Sequence, residues 1–274
     1  MKRAAACLAA LMAIGCTPIS EQPHTQAQWQ ACRGEGFSAD RAAACTAVAG
    51  DRTADPAQRA LAYVERGRLR AEMSQNGRAI ADFGRALRLD PQLAEALIGR
   101  AGVHAARGAY PTALRDYDAA LALAPNNPAA IRGREIALQG RVDAVAAELA
   151  ALTDALADNP RDPGLLNNRC WVRAVAGREL EIALADCNAS LIAEPNNANT
   201  LDSRALVHLK RGALQDALRD YEAALALEPN DGHYLYGRGV VRRALGMNAE
   251  AAADFAAGER ARPGVAELYR SYGV

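Results

Sequence analysis

The chain has 274 residues, half of them hydrophobic but only 5% aromatic, with 32 basic side chains against 32 acidic ones. That balance, with no basic stretch interleaved with aromatics, excludes a nucleic-acid-binding surface. The length alone suits two globular domains, an expectation that the internal periodicity overrides.

The chain opens MKRAAACLAALMAIGC, with two positive charges, a short apolar run and a small residue before cysteine. This reads as a secretory leader over 1–15, too short to span a bilayer as a stable helix. Ala13-Ile14-Gly15-Cys16 resembles the bacterial lipobox, which makes Cys16 the lipidated first residue of the mature chain, with simple secretion as the alternative. By the same resemblance, Thr17 rather than aspartate after the cysteine implies sorting to the outer membrane. Loss of Lys2 and Arg3 leaves 30 basic against 32 acidic side chains. Residues 16–25, rich in Pro, Ser and Gln, read as a flexible tether spanning at most ~3.5 Å per residue. A helical hairpin is expected over 26–50, stapled by a disulfide between Cys32 and Cys45, which flank the GEGF loop, with Ser38 suited to an N-cap.

From residue 58 to 265 the sequence repeats. Proline recurs at Pro91, Pro125, Pro160, Pro195, Pro229 and Pro263, a helical-repeat period. Counting from Ala60, the eighth position is small (Gly67, Ala101, Ala205, Gly239) and the twentieth is alanine (Ala79, Ala113, Ala183, Ala217, Ala251). The twenty-fourth is aromatic at Phe83, Tyr117, Tyr221 and Phe255, and the twenty-seventh is Ala86, Ala120, Ala224 or Gly258. Gly108, Gly177, Gly212 and Gly246 suit left-handed caps, and Pro111 suits a first helical turn. This pattern resembles the tetratricopeptide repeat. The resemblance implies an all-α, six-repeat solenoid, a right-handed superhelix of helical hairpins with a concave groove. A short helix over 266–274 is expected to cap its last apolar face. The third repeat departs most: Glu135 stands at a small position, Ala151 or Leu152 replaces the aromatic, and one residue is inserted before Pro160. A flexible joint and a docking notch are both open there.

Cys170 takes the small eighth position of the fourth repeat and Cys187 falls near its aromatic position. Either they form a disulfide between facing helices, or they are two buried thiols acting as small hydrophobes. Arginine recurs at the seventh position (Arg66, Arg100, Arg134, Arg169, Arg204, Arg238), and aspartate recurs before the large core position (Asp82, Asp116, Asp186, Asp220, Asp254). Matching ladders of opposite sign read as structural surface ion pairs, roughly 0–1 kcal/mol each, with an anion-binding arginine stripe as the alternative. His104 and His208 occupy the same position of distant repeats and read as helix-face residues.

In the family that the chain resembles, positions two, five, nine, twelve and thirteen of the first helix line the groove. The fourth to sixth repeats offer Asn167, Trp171, Asp202, Leu206, Tyr236 and Arg243 there, although Trp171 could instead pack against a neighbouring repeat. The Lys/Asn clamp that grips a chaperone's C-terminal carboxylate is missing. GxSxG, HExxH and Walker motifs are absent, and no metal-ligand spacing occurs. The expected function is therefore a non-enzymatic protein-binding scaffold of the bacterial cell envelope, without cofactor. It is tethered in the periplasm to the outer membrane and captures segments of other envelope proteins. The alternative is a periplasmic carrier or sensor of a small ligand or peptidoglycan fragment.

Overall fold

Caps and turns written into the sequence set the helix boundaries of the computed structural model, which describes residues 26–35 and 38–274. Among these residues are fourteen helices and no strand, and none of the helices is long and apolar enough to cross a membrane. The expected leader, the lipid site at Cys16 and the tether lie outside the described residues. The chain divides into two units, one holding residues to 109 with 113–136, the other 110–112 with 137–274.

In the first unit, α1 (Gln26–Cys32) and α2 (Ala39–Gly50) form the expected N-terminal pair. Ser38 caps α2 by accepting a hydrogen bond from the N–H of Arg41 at 3.0 Å. Cys32 and Cys45 are disulfide-bonded. Trp29 and Val48 pack with Ala62 and Leu69 of α3 (Pro56–Glu72), so the pair covers the first repeat. Two hairpins follow, α3 with α4 (Asn76–Leu89) and α5 (Ala94–Ala106) with α6 (Tyr110–Leu123). The aromatic of a second helix fills the gap left by small residues. A Cβ at Gly99 would stand 2.4 Å from the ring of Phe83, which also touches Gly67.

The two charge ladders meet within each hairpin. Arg66 donates to both carboxylate oxygens of Asp82 at 2.7 and 2.8 Å, and the same bidentate pairing joins Arg100–Asp116, Arg169–Asp186, Arg204–Asp220 and Arg238–Asp254. They are not the surface pairs that the sequence suggests, because every one of these aspartates is buried and Asp82 is 0% exposed. Small residues draw the two helices close enough to exclude water from the carboxylates.

Five of the six repeats are hairpins, and the third is a single helix, α7 (Pro128–Asp158), of 31 residues. The turn position explains it. Ser74, Gly108, Gly177, Gly212 and Gly246 all hold a positive φ between the two helices of their repeats. One repeat after Gly108 that position is Val142, whose branched Cβ makes left-handed backbone costly, and the helix runs on. Glu135 is exposed, since no second helix folds back to make the tight joint that its charge would disturb. Arg134, with alanine at the aspartate position of its own repeat, reaches the exposed Asp118 instead.

In the second unit the hairpins are α8 (Pro163–Ala176) with α9 (Leu180–Ala193), α10 (Ala198–Lys210) with α11 (Leu214–Leu227), and α12 (Gly232–Ala244) with α13 (Asn248–Ala261). Cys170 and Cys187 are disulfide-bonded across α8 and α9, their Cα atoms 5.5 Å apart. The closing helix α14 (Val265–Ser271) buries Val265 and Tyr269. Its end then crosses the first helices: Tyr272 meets Trp171 of α8, and its carbonyl accepts from Lys210 Nζ of α10 at 2.6 Å.

Candidate functional site

Each first helix of the second unit starts on a capping side chain, and these caps aim the residues of the next turn. Asp162 accepts from the N–H of Leu165, Asn197 from that of Thr200, and Asp231 from those of His233 and Tyr234. Asn167, Asn199 and Tyr234 follow within a turn or so, on one face. They surround a cavity of about 430 Å³ that is also lined by Trp171, Asp202, His233 and Tyr272, with Arg262 on its wall.

Its base is a buried polar chain. His233 Nδ1 lies 3.1 Å from Asp202 Oδ1 and 3.3 Å from the hydroxyl of Tyr269, which donates to the His233 carbonyl at 3.0 Å and stands 3.4 Å from that of Tyr221. The Tyr234 hydroxyl donates to Asn199 Oδ1 at 2.9 Å. Burial raises the Asp202 carboxyl above its ordinary pKa, with His233 opposing the shift. Burial also pushes Tyr272 up to about 12, helped by the charge of Asp202. Lys210, held by the Val175 and Tyr272 carbonyls, is lowered by burial and then by Arg141. Asn167 Oδ1 is buried among these groups without a hydrogen-bond partner.

Of the six side chains expected in the groove, Asn167, Trp171 and Asp202 come together here. The other three do not line this cavity. Leu206 is fully buried against Cys170, Cys187 and Val207, and Tyr272 and Val274 cover that cluster. Tyr236 is half-buried between Phe255 and Tyr269, at 4.7 and 5.2 Å, and Arg243 sits over Phe255 at 5.1 Å. The returning C-terminal segment is the physical reason at Leu206 and Tyr236, where it fills space that an open groove would leave to solvent, while Arg243 stays exposed. Asn199 and His233 were not singled out from the sequence, though both fall at the second repeat position, one of the groove positions. Tyr272 carried no such signal, because only the return of α14 brings it to the cavity.

The tetratricopeptide-repeat family model matches residues 64–128 and 203–266. The chain is a tetratricopeptide-repeat protein. Hairpins fill the matched stretches, while α7, but for its first residue, and the α8–α9 hairpin lie outside them. Among solved structures it is similar to a tetratricopeptide-repeat protein from Parabacteroides merdae, at 17% identity over 86% of this chain and 92% of that one, with a TM-score of 0.42. It is also similar to YrrB, described as a TPR protein with an unusual peptide-binding site, at 17% identity over 77% and 91% of the two chains and a TM-score of 0.35. A third is a chain of the APC/C hetero-tetramer Cut9–Hcn1, at 17% identity over 78% of this chain and 42% of that one, with a TM-score of 0.42. No curated protein matches the chain. Among the described residues of this tetratricopeptide-repeat protein, no group of three or more His, Cys, Asp or Glu side chains could hold a metal ion.

Proposed function

We propose that this protein is a non-enzymatic scaffold of the bacterial cell envelope, anchored by a lipid on Cys16, that captures segments of partner proteins. The repeat fold is one that serves protein–protein interaction. One observation carries the reading: the Arg–Asp pairs and the small-to-aromatic contacts hold the stack, while Trp171, Asn167 and Asn168 on the first-helix face are spent on neither. Half-exposed aromatic and amide groups of this kind anchor partner recognition. Two disulfides suit an oxidising compartment, and a leader ending just before Cys16 suits a tether.

The test is crosslinking and recovery from native envelopes, with bound proteins identified by mass spectrometry. The wild-type chain is expected in the membrane fraction with a defined partner, Cys16→Ser in the soluble fraction, and Trp171→Ala folded but without the partner. A wild-type chain that is already soluble overturns the anchor. A partner set that Trp171→Ala leaves unchanged overturns capture on this face.

A further inference from the structure

The cavity in the second unit is bounded by the chain itself. Tyr272 stands edge-on to Trp171 at 5.3 Å and to His233 at 5.9 Å, and Lys210 holds its carbonyl. What remains is about 430 Å³, a size that suits a compact ligand.

The charges around it are few and of both signs. Asp202 is paired with His233, Asp231 is spent capping α12, and Arg262 sets one positive charge against them. No cluster of one sign faces the cavity to select a strongly charged ligand. Neutral hydrogen-bonding capacity is in surplus instead. Asn167 Oδ1 is a buried acceptor with nothing donating to it, an unfavourable state until a donor arrives. Asn199 accepts the Tyr234 hydroxyl on its oxygen, which leaves its amide N–H groups to donate. Beside these amides stand the rings of Trp171 and Tyr272, which supply apolar surface.

Hydroxyl groups that both donate and accept, on a ring with an apolar C–H face, answer all three features at once. We propose that this cavity binds a short neutral saccharide, with its hydroxyls bonded to Asn167 and Asn199 and its C–H face against Trp171 and Tyr272. The site goes beyond the scaffold reading and does not depend on it.

The sequence has two tryptophans, and Trp29 is buried in the first unit, so Trp29→Phe leaves Trp171 as the only reporter. The full mature chain with this change is titrated with chitotriose, maltotriose and lactose, and calorimetry on the unaltered chain gives a second readout. A saturable change with at least one sugar is expected. Asn167→Ala is expected to weaken it roughly three- to tenfold without lowering the melting temperature, and Asn199→Ala to weaken binding similarly. No saturable binding of any of the three sugars overturns the proposal, as does equal affinity in the Asn167→Ala, Asn199→Ala double variant. Saturation by trialanine without response to any sugar also overturns it, and makes the cavity a peptide site. A failed partner recovery leaves these titrations unaffected, so the two readings fall separately.

Discussion

Asp82 carries more of the local electrostatics than any other ladder residue. It is fully buried and accepts from Arg66, Arg70 and Arg85. Asp82→Ala would leave the buried Arg66 and its neighbours without their shared anion, a change expected to cost about 3–5 kcal/mol. Asp118→Ala, which breaks the exposed pair with Arg134, is expected to cost under about 1 kcal/mol. Urea denaturation of the two variants checks the contrast, and comparable small losses would return the ladder to a surface role. The existence of these pairs was legible, because both residues recur at fixed repeat positions. Their burial was not, since it depends on how closely Gly67 lets α3 and α4 approach. His233 was passed over for a different reason: it lies at a groove position, but its partners Asp202 and Tyr269 come from other elements.

The helix boundaries follow from single residues at turn positions, and α7 is the clearest case. The sequence flagged the third repeat through Glu135 and the missing aromatic, yet the decisive residue is Val142 at the turn. If α7 is continuous there, Val142→Ala should be more stable than Val142→Gly by about 1 kcal/mol, the helix-interior preference. At Gly212, where φ is +75°, the order reverses, and Gly212→Ala should destabilise by about 1 kcal/mol or more. Thermal unfolding of the three variants gives the signs. A Val142→Gly chain as stable as or more stable than Val142→Ala would mean that a turn forms at this position and that the repeat is a hairpin.

Across the whole molecule the period dictated a stack of hairpins, and five of them form. A period cannot encode what happens after it ends, so the return of Tyr272 to Trp171 was invisible in it. In a stack each repeat leans mainly on its neighbours, so a local loss of stability should stay local. The disulfide between Cys170 and Cys187 lets that be measured. It closes a loop with a sequence separation of 17, which in the chain-entropy model stabilises the fold by about 3 kcal/mol. Both cysteines are fully buried beside Leu206 and Val207, so replacing both with alanine removes the link without introducing a polar group. Hydrogen exchange on the double variant should show faster opening in α8 and α9, a smaller effect in α10, and unchanged protection in α3 and α4. Uniform loss of protection across all these helices would mean that the chain opens as one cooperative block, and the nearest-neighbour account of its stability would fail.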